Sequence, residues 1–199
     1  MLRRSLKNSM KKSSPDYKTL NYFNEQIFDL SKSDREVAIL GGAILEGFLY
    51  EFLKDVLVDS NFQKVKGLFD YPKPLSSFGN MLSLAFAFGH LSEEDFRGIN
   101  SLKKIRNRAA HTMQTGDNDE FSFTDKYFRN CLNDFYPELD MTGFPDEIRD
   151  EVVGDVDKLI DNNARAVYRI LFNYCVVGIL GRKRRTSRIT PPLAKIVRE

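Results

Sequence analysis

"SKSDREVAILGGAILEGFLYEFLKDVLV", residues 31–58, decides the fold. Ser33 or Asp34 can cap a helix start by accepting a free backbone N–H. After them Val37, Leu40, Ile44, Phe48, Phe52 and Val56 recur at intervals of three and four and form an apolar stripe, which predicts a long central helix. Gly41 and Gly42 lie within it, and each costs about 1 kcal/mol against alanine in a helix interior. A second helix crossing very close at that point would account for them. Glu46 borders the stripe on the Gly42 flank, and a carboxylate partly buried there needs a cation.

Working outward, "SPDYKTLNYFNEQIFDL" offers Pro15 at a helix start, with Leu20, Phe23, Ile27 and Leu30 at helical spacing. Downstream, Pro72 and Pro74 make "FDYPKPLSSFGN" a connector, with a serine or Leu75 opening the next helix. "SSFGNMLSLAFAFGH" is almost wholly small and apolar, as a helix buried on most sides would be, and Gly89 suits its stop. "LSEEDFRGINSLKKIRNRAAHT" pairs Ser92 with Asp95 in an approximate capping box and gathers its bases at the far end, as the helix dipole favours. "MQTGDNDEFSF" has loop composition, and "TDKYFRNCLNDFYPEL" a short helix stopped near Pro137. A last long helix runs from about Pro145 to about Gly181, with a break expected near Gly154. No alternating pattern of useful length predicts a strand. The predicted class is all-α: a single-domain multi-helix bundle at residues 14–181, a basic lead at 1–13 and a basic tail at 182–199.

Composition fits a folded globular chain, with 42% hydrophobic and 29% charged residues in 199. Cys131 and Cys175 are far apart within apolar helical patterns, so buried free thiols and a reducing cytoplasm fit better than a disulfide framework. No apolar run follows the basic Met1–Lys12, which argues against a secretory signal. "AVYRILFNYCVVGIL", residues 166–180, includes Arg169 and Asn173 and falls short of the roughly 20 residues that span a bilayer. A core helix is expected there, and no membrane partner.

The net charge of +2 is unevenly spread: Met1–Lys12 holds five positive and no negative residues, and "RKRRTSR" at 182–188 holds five more. Subtracting those ten charges leaves about −8 on the rest. Arg182, Lys183, Arg184, Arg185 and Arg188 are therefore candidates to meet nucleic-acid phosphates, against the plainer reading of solvated ends.

Specific chemistry is sparse. His90 and His111 lack the cysteine cluster of a zinc site, and Gly41–Gly42 lacks the Lys-Ser/Thr and preceding strand of a phosphate loop. "DNDE" at 117–120 lacks the glycine and ligand spacing of a calcium loop, so it reads as a solvated turn. No metal and no cofactor is expected. The one dense polar stretch is "KKIRNRAAHT", residues 103–112. At about 100° per residue, Asn107 and His111 share an edge, Leu102, Ile105 and Ala109 face the core, and Arg106 stands at the border, within reach of a carboxylate such as Glu46.

"RNRAAH", residues 106–111, resembles the Arg-polar-x-x-x-His pattern of HEPN domains, many of which are metal-independent ribonucleases working as dimers. That resemblance implies catalytic roles: Arg106 stabilising a phosphorane-like transition state, Asn107 positioning the site, and His111 moving protons at the ribose 2′-hydroxyl and the leaving oxygen. A wider likeness runs from about Asp34 to Phe123. "REVAILGGAILEGFLYEFLKDVL" followed by "PLSSFGNMLSLAFAFGHLSEEDFRGINSLKKIRNRAAH" is similar to the mannitol operon repressor, or MltR-like, family. It implies an all-helical cytoplasmic regulator without a helix-turn-helix, dimeric, acting in transcriptional regulation through contacts with another regulator or an operon-encoded protein. The basic lead and the tail "GRKRRTSRITPPLAKIVRE" depart from that pattern. The two resemblances place a non-enzymatic regulator first and a ribonuclease, with RNA as its partner, as the alternative.

Overall fold

Ser33 starts the long helix. Its hydroxyl accepts the Glu36 N–H at 3.2 Å while the Glu36 carboxylate accepts the Ser33 N–H at 2.7 Å, so two donors left over at a helix start satisfy each other's residues. In the computed structural model, which describes residues 15–29, 31–57, 67–111, 121–133 and 156–183, this helix is α2, Asp34–Val56. Around it lie α1 (Pro15–Ile27), α3 (Phe78–Ala87), α4 (Glu93–His111), α5 (Lys126–Asn133) and α6 (Val156–Lys183), with one 3-10 turn at Gly67–Phe69. No strand occurs among the described residues. The protein is an all-α, single-domain bundle.

The buried side of α2 is displaced from the stripe expected from spacing. Val37, Ala38, Leu45, Leu49, Phe52, Leu53 and Val56 are inside, whereas Leu40 is 38% exposed and Ile44 and Phe48 are only partly covered. The helix is apolar over most of its circumference, so two overlapping stripes fit the same period. The glycines choose between them, because neighbours can come closest where no Cβ stands. A Cβ on Gly41 would lie 2.6 Å from the Tyr168 hydroxyl on α6, and one on Gly42 would run into Cβ and Cγ of Arg106 on α4. The close crossing expected at this pair is therefore made twice, by two helices. Tyr168 is fully buried and donates its hydroxyl to the Ala38 carbonyl at 3.3 Å.

Ser77 caps α3 by accepting the Asn80 N–H at 3.2 Å. Gly89, with φ 70°, turns the chain out of it while its N–H goes to Phe86 O at 2.8 Å and that of His90 to Ala85 O at 2.9 Å. This helix is not covered on most sides: Phe78, Met81, Leu82 and Ala85 are buried, but Phe86 and Phe88 are exposed. A short apolar helix at the edge of a bundle has too few neighbours to cover it.

α6 is kinked at Asn163 (φ −160°, ψ 72°), a position the sequence did not single out. Asn163 restarts the helix as a cap, its side-chain oxygen accepting the Ala166 N–H at 3.0 Å. Pro137, Pro145 and Gly154 lie outside the described residues. From Ile160 to Arg182 this helix is long and apolar enough in composition to cross a membrane, and half of that stretch is buried against the rest of the protein. Tyr168, Phe172, Cys175 and Val176 are within the core, and both cysteines are free and buried.

Candidate functional site

The "KKIRNRAAHT" stretch forms the C-terminal turns of α4, and the fold divides its residues by side. Leu102, Ile105 and Ala109 are fully buried. The stem of Arg106 fills the notch left by Gly42, which directs its guanidinium along α2. There Nη2 lies 3.7 Å from Glu46 Oε2, and Nη1 donates to Asn107 Oδ1 at 3.0 Å. About a third of the arginine side chain and a quarter of the glutamate remain open to solvent (34% and 26%), so the pair is screened and its worth is modest. The α4 terminus has a second cationic support, because Arg35 Nε donates to the Ala109 carbonyl at 2.9 Å. His111 is exposed at the last position, and Asn107 is half-buried one turn before it.

The other end of α4 is built more tightly. Ser92 N–H and Oγ both donate to Asp95 Oδ2, at 3.2 and 2.8 Å, and the Asp95 N–H returns to Ser92 Oγ at 3.2 Å, completing the capping box. Asp95 is 5% exposed. Arg182 on α6 reaches the same oxygen through Nε at 2.6 Å and also through Nη2. Gly178 makes room for this carboxylate: a Cβ there would stand 2.8 Å from Asp95 Oδ1. Burial pushes the neighbouring Cys175 thiol well up from its ordinary range, and the Asp95 charge adds to the shift, so the thiol is protonated.

A third clamp joins the start of α2 to α6. Asp34 Oδ1 accepts from Arg165 Nη2 at 2.7 Å and Nε at 3.1 Å, Asp34 Oδ2 accepts the Phe123 N–H at 3.0 Å, and Arg165 also donates to Lys32 O at 2.8 Å. Neither this clamp nor the Asp95–Arg182 pair was read from the sequence. Both acidic residues carried a local signal as helix-start residues; their arginines carried none.

Arg182, a candidate for phosphate contact, is thus bound to Asp95, and α6 continues through the position where the tail was expected to begin. Arg184, Arg185 and Arg188 lie outside the described residues, as does the side chain of Lys183 and the acidic run at 117–120. Among the described residues no group of three or more His, Cys, Asp or Glu is placed to hold a metal ion. His90 sits edge-on to Phe52, with ring centroids 5.7 Å apart. Its Nε2 is buried without a hydrogen-bond partner among the described residues, and burial lowers its pKa from the ordinary histidine value. His90 is therefore a half-buried histidine in the turn between α3 and α4, its neutral form favoured by burial.

No model of a known protein family matches the chain, and neither does any curated protein sequence. Solved structures do. A possible transcriptional regulator, YggD from Shigella flexneri, is similar with a TM-score of 0.59 at 14% identity, over 86% of this chain and 99% of that one. The MtlR–HPr complex from Escherichia coli is similar with a TM-score of 0.51 at 16% identity, over 86% of this chain and 98% of the matched chain. What this chain shares with both, at such identities, is the fold.

Proposed function

We propose that the protein is a cytoplasmic regulatory module that works as a homodimer by binding another protein, in the manner of MtlR with HPr, and takes part in transcriptional control without reading a DNA sequence directly. The observation that carries this reading is the state of Arg106. Its stem fills the Gly42 notch and its guanidinium is directed to Glu46 and Asn107, so the arginine of the Arg-Asn-x-x-x-His motif is explained by packing and charge. The likeness of fold to a possible transcriptional regulator and to the MtlR–HPr complex supports it. Its test is co-purification of the full chain with its cellular partner after crosslinking, followed by reconstitution from purified components. A stoichiometric complex is expected, and sedimentation should give twice the 23.0 kDa chain mass for the free protein. A monomer that returns no reproducible protein partner overturns the reading.

One observation favours a second reading, a metal-independent ribonuclease using Arg106, Asn107 and His111. Asn107 and His111 share an edge, and the histidine is open to solvent. Under it, RNA is cleaved in the presence of a chelator and His111→Ala abolishes cleavage with melting unchanged. Wild-type cleavage by that variant, or none by either protein across a panel of RNAs, removes it.

A further inference from the structure

Helices α3 and α4, joined by the turn at 88–92, pack as an antiparallel pair. Two contacts fix their register. The Phe86 and Phe96 rings stand 4.7 Å apart by centroids, and about 10 Å further along both helices Lys103 Nζ comes to 3.6 Å from where a Cβ on Gly79 would stand. At about 100° per residue, Glu93, Phe96, Asn100 and Lys103 fall within about 80° of one another around α4, and Gly79, Ser83 and Phe86 within about 60° around α3.

This side of the hairpin lacks cover. α3 has no ionisable side chain, yet Phe86 is 41% exposed and Phe88, at its end, 53%. Clustered open aromatic rings mark a contact surface. The charges on it stand at opposite ends. The Glu93 carboxylate, 64% exposed although Arg97 is paired with it, precedes the rings. The small Ser83 lies in the middle, and Lys103 closes the strip, with no ion pair holding it among the described residues. A twofold axis through the middle reverses this order, so the Lys103 of each copy lies over the Phe86–Phe96 rings and beside the Glu93 of the other. Acid at one end and base at the other, with rings beside the acid, is a pattern that complements itself under that rotation. A membrane surface would call for several cations and no carboxylate in the strip.

We propose that the α3–α4 face is where two copies of this chain meet, with Lys103 of each copy on the aromatic rings and Glu93 of the other. This rests on the homodimer of the regulatory reading and gives that dimer a surface.

The test is sedimentation of the full chain over a range of concentrations. The wild type should give twice the 23.0 kDa chain mass. Lys103→Glu sets two carboxylates against each other and Glu93→Lys sets two ammonium groups, so each alone should weaken the dimer by about tenfold or more. Mixed one to one, these two variants should form a heterodimer, because each then meets its opposite charge across the axis. Phe86→Ser should also shift the protein toward monomer. Circular dichroism melting checks that each variant is folded, and if Phe86→Ser is not, the two charge variants and their mixture carry the decision. A wild-type dimer that every folded variant retains, or charge variants that stay monomeric when mixed, overturns this face and leaves the regulatory reading standing. A wild type that is monomeric at every concentration overturns both.

Discussion

Each end of α4 is tied to another helix by an arginine–carboxylate pair, Asp95 with Arg182 at the start and Glu46 with Arg106 at the finish, and the two are built for different purposes. At the start, Asp95 is buried and receives hydrogen bonds from Ser92 and Arg182, with Gly178 leaving space for it. At the finish, Glu46 and Arg106 lie 3.7 Å apart in partial contact with water, with His111 open beyond them. A buried charge pair contributes little net stability while intact but is costly to break, because the survivor is left without water or partner. A screened pair is cheap to break. The first end therefore fixes the bundle, and the second tolerates change, which is the property a contact surface needs.

Arg182→Ala should cause the largest loss. Stranding Asp95 is expected to cost about 3 kcal/mol, a fall in Tm of about 6–12 °C in calorimetry for a chain of this size. Gly42→Ala should cost about 2 kcal/mol, because its Cβ displaces the Arg106 stem and with it the end of α4. Arg106→Ala should cost only about 1 kcal/mol, since Glu46 regains water. Urea titration of that variant showing a loss as large as that of Arg182→Ala would remove the distinction between the two ends. His111→Ala should change stability by less than about 0.5 kcal/mol, since an exposed terminal side chain has little to lose.

The pH dependence sharpens the same contrast through His90, in the turn that leads into the tight end. Its folded pKa lies below the ordinary value near 6.5, so its contribution to stability is complete above that value. As pH falls through 6.5 toward the folded pKa, the unfolded chain takes up the proton first and stability declines. Thermal melts from pH 7.5 down to 5 should show this decline, and His90→Leu should reduce its steepness.

Much of this organisation is written locally. The capping boxes at Ser33–Glu36 and Ser92–Asp95, the Gly89 stop and the Gly41–Gly42 crossing each depend on residues within a few positions, and spacing exposes them. The same local reasoning places Arg106 at the edge of the core with Glu46 in reach. It misplaces the α2 stripe, where Leu40 is exposed, because an almost uniformly apolar helix gives no phase until its neighbours are known. It also misses Asp34–Arg165 and Asp95–Arg182, whose partners stand 131 and 87 residues apart with no pattern linking them.

The Asp34–Arg165 clamp also sets a schedule for synthesis. A ribosome adds roughly 5–20 residues per second, so after Asp34 emerges its arginine is on the order of ten seconds behind, at a separation of 131 residues. During that interval α2 has its capping box but neither Tyr168 nor Arg165 against it, and its apolar face is available to chaperones and to other nascent chains. The bundle closes only after α6 has left the exit tunnel, so the first long helix depends on a segment made more than a hundred residues later.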